Sequence, residues 1–369
     1  MKNTFGQSVC TTIFGESHGE AVGVVIDGLA PGIDVDTDFI NFQLSKRRPS
    51  GKTDTPRIEN DNFKILSGVF NGKTTGTPIA IVIPNENTKS KDYNYGIARP
   101  SHADYTAYMK YHGYEDYRGG GHFSGRVTAG LVAGGSIAIS ALKKLGINIG
   151  THIWMCGKVS DEIFESTGDV ENAVLSLQGK QFPVISDEAG EKMQEEILKA
   201  AGQKDSIGGV IETAITGVPA GVGEPWFDSV EGLLSHALFS IGGIKGIQFG
   251  RGAALGSSFG SDVNDAFKYE NGKAITSTNN NGGINGGITN GMPIVFSCTV
   301  KPTPSIGKEQ DTINFLTGEN TKIEIKGRHD PAIIRRICVV VDSLCALTIC
   351  DLLTQRYGTD IFLEGFSKK

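Results

Sequence analysis

Val127-Thr-Ala-Gly-Leu-Val-Ala-Gly-Gly-Ser-Ile-Ala-Ile-Ser-Ala-Leu-Lys-Lys-Leu145 is the stretch on which the reading of this chain turns. It is long, rich in alanine and other small residues, and stopped by Gly146, the pattern of an α-helix. Apolar side chains occur nearly all round it, so most of its faces must be buried. A second such segment opens at Asp330-Pro331, an N-cap and N1 pair that starts helices, and runs to about Leu353. Short β-branched runs bounded by turn residues, 22–26, 79–83 and 295–300, read as strands. Residues 187–201 read as an amphipathic surface helix and 279–291 as a Gly/Asn loop. Buried helices among short strands place the chain in the α+β class.

No Pro- or Ser-rich linker divides residues 1–369, so they read as a single domain. Within it runs an echo. Gly68-x3-Gly72-x-Thr74-x-Gly76-x-Pro78-Ile79 matches Gly283-x3-Gly287-x-Thr289-x-Gly291-x-Pro293-Ile294, and Gly28-x3-Gly32 followed by Leu44 matches Gly217-x3-Gly221 followed by Leu233. An internal duplication is expected, with halves of about 1–150 and 205–355, each ending in a long apolar helix.

Composition narrows the function. The 369 residues carry 35 Lys and Arg against 41 Asp and Glu, a net charge of −6. Phosphate affinity of nucleic-acid binders comes from clustered cations, so nucleic acid is excluded as a partner and any anion site must be local. Hydrophobic residues at 38% supply a core, and a mean hydropathy of −0.13 is too low for a membrane protein. No apolar h-region opens the chain, and no run approaches the 18 or so apolar residues of a membrane span. Six cysteines without CxxC or Cys/His spacing read as buried thiols, and no histidine pair has metal-ligand spacing, so no metal is expected. The expected location is the cytoplasm. Fifty glycines, about twice the usual share, cluster at 119–121, 242–243, 282–283 and 286–287, as in loops wrapped around a ligand.

Five short segments carry chemistry. Gly15-Glu16-Ser17-His18-Gly19 has the spacing of a hydrolase nucleophile elbow, but a β-branched run follows where that motif needs a helix; His18 remains a proton donor candidate in a loop. Arg99-Pro-Ser-His102-Ala-Asp104 and Arg118-Gly-Gly-Gly-His122-Phe123-Ser124-Gly-Arg126 precede the first buried helix, and Gly327-Arg328-His329-Asp330 precedes the second. Glycines, Ser, His and Arg before a helix make a plausible anion site. Lys46-Arg47-Arg48-Pro49-Ser50-Gly51-Lys52, with Arg57 nearby, reads as a loop able to cap an anionic substrate. Together these describe an enzyme for a small, phosphorylated polyanion, using histidine acid chemistry.

In this order, Phe14-Gly-Glu-Ser-His-Gly19, Arg47-Arg-Pro49, Arg99-Pro-Ser-His-Ala-Asp104, Asp116-Tyr-Arg-Gly-Gly-Gly121, Gly282-Gly-Ile-x-Gly-Gly287, Lys301-Pro-Thr303 and Gly327-Arg-His-Asp-Pro331 resemble the chorismate synthase family, from about residue 5 to residue 355. The resemblance implies a β-α-β sandwich with buried central helices, usually a homotetramer. It implies a carbon–oxygen lyase that eliminates phosphate from 5-enolpyruvylshikimate 3-phosphate to give chorismate, requiring reduced FMN, with NADPH only indirectly as reductant. By motif, His18, His102, Asp330, Ser17 and Ser124 would be catalytic, and Arg47, Arg48, Arg99 and Arg126 would clamp the substrate. His122, Phe123, Ser124, Gly242, Gly243, Gly286, Lys301, Pro302, Thr303, Pro304, Ser305 and Arg328 would line FMN. Two departures stand out: His122-Phe123 replaces a common Arg-Ser, and the loop after Pro49 is one residue short, its usual second basic residue missing or replaced by Lys52. The competing readings are a serine hydrolase using Ser17 and a non-catalytic flavin- or phosphoanion-binding protein.

Overall fold

Three glycines of the helix Thr128–Lys144 set the spacing of the molecule. A Cβ on Gly130 would stand 2.7 Å from the backbone of Gly23, one on Gly134 2.6 Å from Ile26 Cδ1, and one on Gly135 2.4 Å from Ser343 Cβ. The first two face a sheet; the third faces the other long helix, Ile334–Tyr357. Glycine inside a helix costs about 1 kcal/mol relative to alanine. Here it lets two helices and a sheet approach more closely than any side chain would permit.

The computed structural model describes residues 2–51, 53, 54, 60–86, 95–325 and 330–366. Sheet one contains β1 (Thr4–Phe5), β2 (Cys10–Gly15), β3 (Ala21–Asp27), β4 (Lys64–Ser67) and β5 (Ile79–Pro84), antiparallel, in the order β1-β2-β3-β5-β4. Sheet two contains β6 (Asn148–Cys156), β7 (Val159–Ser160), β8 (Gly209–Thr216), β9 (Ile244–Phe249) and β10 (Ile294–Val300), also antiparallel, in the order β9-β10-β8-β6-β7. The helices of eight or more residues are α1 (Thr37–Arg47), α2 (Asp104–Tyr111), α3 (Thr128–Lys144), α4 (Val170–Leu177), α5 (Asp187–Gly202), α6 (Val230–Leu238) and α7 (Ile334–Tyr357). Between the sheets α3 and α7 pack on each other, α3 against β3 and α7 against β6 and β8. The fold is an α+β sandwich. Along β5 the side chains alternate, and Ile79, Ile81 and Ile83 point into the core.

By length and composition both central helices could cross a membrane, yet 83% of one apolar window and 89% of the other are buried inside the protein. They are core helices. Five of the six cysteines are buried, and Cys10 is half-buried.

The echoed threonines do the same work twice. Thr74 Oγ1 donates to Ala30 O (2.7 Å) and accepts from Ile33 N (2.9 Å); Thr289 Oγ1 donates to Pro219 O (2.6 Å) and accepts from Val222 N (2.9 Å). Thr74 N donates to Ile33 O, and Thr289 N to Val222 O, each at 2.9 Å. Ile26 faces Ile79 in one sheet and Ile215 faces Ile294 in the other. The strand Asn148–Cys156, which the expected halves leave at their boundary, belongs to sheet two.

One expectation shifts. The second long helix starts at Ile334, not at Asp330-Pro331, and runs to Tyr357. Pro331 O accepts Ile207 N (2.8 Å) and Asp330 Oδ2 accepts Arg336 Nη1 (2.8 Å), so the residues before Ile334 are tied to the approach to β8 and to α7 itself instead of being coiled.

Candidate active site

The site forms where α1 ends and α3 and α7 begin. Its corner is Gly119-Gly120-Gly121, whose φ values are +62°, +84° and +53°. Only glycine tolerates three such residues in a row at low cost. A Cβ on Gly119 would lie 2.1 Å from His18 Cε1, and one on Gly120 would lie 3.2 Å from His102 Cε1. Consecutive glycines therefore carry the two histidines side by side.

Each imidazole is held through Nδ1. The Ser17 hydroxyl donates to Arg118 O (3.1 Å), so its lone pair receives Nδ1–H of His18, also at 3.1 Å. His102 Nδ1 donates to Asp104 Oδ1 (2.8 Å), and Arg99 forks onto the same carboxylate through Nε (2.8 Å) and Nη2 (2.7 Å). Burial alone would push the Asp104 carboxyl up; the Arg99 and His102 hydrogen bonds overcome it and hold that carboxyl well below the usual range. His122 Nδ1 donates to Gly15 O at 2.8 Å, locking the corner to the end of β2. Phe123 is exposed at the surface, its ring 6.1 Å from that of Tyr111. Ser124 Oγ caps the turn before α3 by accepting Arg126 N (3.3 Å).

Behind the histidines lies a buried charge cluster. Arg47 Nη2 reaches Asp61 Oδ2 at 3.0 Å, Arg48 Nε lies 3.5 Å from the same oxygen, and Arg126 Nη1 bonds Asp61 Oδ1. Burial opposes ionisation of Asp61, but Arg47 and Arg126 keep its carboxyl below the ordinary value. Three guanidiniums on one carboxylate leave a local excess of positive charge in an acidic protein. Arg47 is only 2% exposed. It closes α1 and points inward, so the basic segment is neither a solvated turn nor a loop from its start. Its carbonyls are gripped from α7: Arg335 donates to Lys46 O (2.9 Å) and Arg48 O (2.7 Å), and Arg336 to Arg47 O (2.8 Å). Asn85 completes the frame, donating to Glu16 O and Gly19 O (both 2.9 Å) and accepting from Arg126 Nε (2.9 Å).

Sheet two closes the other wall. Lys301 N donates to Gly243 O (2.9 Å), and Lys301 Nζ crosses to Ser101 O (2.6 Å) beside His102. Burial and then Lys245 push the Lys301 ammonium down. Pro302, Thr303, Pro304 and Ser305 continue from it. Thr303 O accepts Ser206 Oγ (2.7 Å), while the buried Thr303 Oγ1 has no hydrogen-bond partner among the described residues. Among the described residues no atom lies within 4 Å of a Cβ built on Gly242.

Among the described residues no contact joins Gly286 to this cluster. It sits in the ribbon of Ile284–Asn285 and Ile288–Thr289 that precedes β10, whereas Lys301 follows β10 at the other end. Arg328, His329, Lys52 and Arg57 lie outside the described residues. Asp330 is present at the site, bonded to Arg336. Sequence reasoning missed Asp61, Asn85, Arg335 and Arg336. None belongs to a dense motif, and each acts by contacts distant in sequence.

Fold and site define an α+β enzyme whose basic, histidine-bearing end suits a small anion. The chorismate synthase family model matches residues 9–354, and the chain belongs to that family of lyases. It is 46% identical to the chorismate synthase of Lachnoclostridium phytofermentans, with 100% of this chain and 96% of that one covered. Identity is 44% with the chorismate synthase of Methanocaldococcus jannaschii, over 96% of each chain. It is 45% with that of Methanosarcina barkeri, over 95% of each. A crystal structure of chorismate synthase superimposes with a TM-score of 0.76 at 27% identity, covering 96% of this chain and 94% of the other.

Proposed function

We propose that this chain eliminates phosphate from 5-enolpyruvylshikimate 3-phosphate in the anti-1,4 sense, giving chorismate, and depends on reduced FMN. The observation that carries the reading is the placement of His18 and His102 on consecutive glycines beside the Arg99 fork. A departing phosphate needs cations and a proton donor aimed where charge develops.

The elimination breaks one C–H and one C–O bond. His102, oriented by Asp104, presents Nε2 as the acid toward the leaving phosphate. Arg48 and Arg99 hold the substrate's anionic groups, while Arg47 and Arg126 around Asp61 sustain the positive field. Asp330, steadied by Arg336, assists removal of the proton released from the C–H bond, and Ser17 sets the tautomer of His18.

The wall formed by Gly242, Gly243, Lys301, Thr303 and Ser305 fits a phosphate-bearing ring cofactor: it offers open space over glycine, an orphaned buried hydroxyl and a desolvated ammonium. Bound there, FMN supplies an electron-rich reduced ring, with NADPH only indirectly the reductant. His18 would hold a proton toward that ring, and His122 would offer Nε2, because Nδ1 is committed to Gly15. The proposed assembly is a cytoplasmic homotetramer. Exposed Trp226, Phe227, Phe267 and Tyr269 are the kind of surface that association covers.

The hydrolase reading finds no support at Ser17, which is buried, lies on a strand-to-strand turn and donates its proton to Arg118 O. Anaerobic phosphate release from the substrate, with and without reduced FMN, tests the proposal. Release only with reduced FMN is expected. Release without flavin, or labelling of Ser17 by a fluorophosphonate, overturns it. FMN retention with no release would leave a binding protein.

A further inference from the structure

A second polar cleft lies apart from the histidines, between α1, α3, α4, α7 and β6. Its walls carry Gln43, Lys46, Lys143, Gln178, Arg335 and Asp342, over an apolar floor. Counted to its open mouth the cleft measures about 510 Å³.

Its charges are unbalanced. Lys46 Nζ donates to Gln178 O (2.6 Å) and Lys143 Nζ to Gln178 Oε1 (3.0 Å), so two ammoniums converge on one neutral residue. Among the described residues neither forms an ion pair with a carboxylate. Burial pushes both ammoniums down. Asp342, the acid in the wall, accepts the Thr151 hydroxyl at Oδ1 (2.6 Å), and burial pushes its carboxyl up to about 6. Two amide atoms are orphaned here: Gln178 Nε2, and Oε1 of Gln43, a residue 6% exposed. No hydrogen bond fixes which end of the Gln43 amide is oxygen, so either can face the cleft. Buried polar atoms without partners cost about 1–3 kcal/mol each, and a ligand that satisfies them recovers that energy.

We propose that this cleft binds a small oxyanion, a carboxylate or inorganic phosphate, between Lys46, Lys143 and the Gln178 amide. The anion supplies the missing negative charge and accepts from Gln178 Nε2. It also steadies the neighbouring arginines, because Arg335 in the cleft wall donates to the carbonyls of Lys46 and Arg48.

Hydrogen exchange of the full chain tests this, with potassium phosphate and potassium acetate compared with chloride at equal ionic strength. Local opening within 174–183 should slow about tenfold once the anion reaches ten times its Kd. The two salts distinguish phosphate from carboxylate. Lys143→Met should abolish the effect, and Lys143→Arg, which keeps the cation, should retain it and control for folding. No slowing beyond chloride, equal slowing in Lys143→Met, or slowing confined to 99–126 would each overturn the proposal, the last by placing the anion at the histidine end only.

Discussion

Gly119 and His18 are in contact so close that a methyl group on the glycine would sit 2.1 Å from the imidazole Cε1. No side chain but hydrogen fits there, and φ of +62° already disfavours any other residue. Gly119→Ala should push the His18 ring aside and lower turnover by about 10²-fold or more, the cost of a misplacement of about 1 Å. Gly120→Ala should cost less, since its nearest neighbour, His102 Cε1, stands at 3.2 Å and needs to yield only slightly. Steady-state kinetics should rank Gly120→Ala above Gly119→Ala; the reverse order would remove His18 from the mechanism.

Asp104 acts on His102 as a positioning residue. Asp104→Asn keeps the shape but offers one oxygen and one NH2 where Arg99 and His102 both need acceptors. Turnover should fall about 10²–10³-fold, within the range expected when a general acid is misoriented. KM should rise as well, because Arg99 loses its fork. Asp104→Glu should recover part of the turnover. An unchanged kcat in Asp104→Asn would show that Nδ1 of His102 needs no carboxylate.

Asn85 ties the turn bearing His18 to Arg126 with three hydrogen bonds. At about 1 kcal/mol for each bond lost, Asn85→Ala should destabilise the chain by about 3 kcal/mol in urea unfolding. Turnover measured well below the new Tm should still be reduced, because Glu16 O and Gly19 O lose their anchor. Full turnover alongside the stability loss would make Asn85 purely structural.

What was legible in the sequence divides along a physical line. Both core helices, Thr128–Lys144 and Ile334–Tyr357, announce themselves because a helix buried on all sides must be apolar on all sides. Thr74 and Thr289 emerge from the glycine echo, since each clasp needs glycines at fixed distances from its threonine. The histidines stand out because they lie in glycine loops. Asp61 and Asn85 do not: a carboxylate that gathers three guanidiniums, or an amide that joins two turns, is defined by partners far along the chain and leaves no local pattern. The start of the last helix was misread because Asp330-Pro331 is a good helix opening locally, and the bond from Ile207 N to Pro331 O prevails over it.

His152 carries a pH dependence away from the catalytic end. On β6 it faces Glu212 across the ladder, Nε2 to Oε2 at 2.9 Å, with Asp161 Oδ2 3.4 Å from Nδ1. The imidazole is 0% exposed and its ring lies edge-on to Phe164. The carboxylates also hold the segment that follows: Glu212 accepts Phe164 N, and Asp161 accepts Ile185 N and Ser186 N. Burial alone would favour the neutral ring, but Asp161 and Glu212 outweigh it and raise the pKa of His152 above its ordinary 6.5. A group whose folded pKa is raised contributes stability fully below its unfolded pKa and loses it as pH rises through the folded value. His152→Gln leaves two buried carboxylates without their cation and should cost about 3–5 kcal/mol near pH 6. The gap between wild type and variant should then narrow as pH climbs through the folded pKa. Urea unfolding at a series of pH values from about 6 to 10 reads that gap, because other titrating groups cancel in the difference. A constant gap over the whole range would mean that His152 stays neutral in the folded protein.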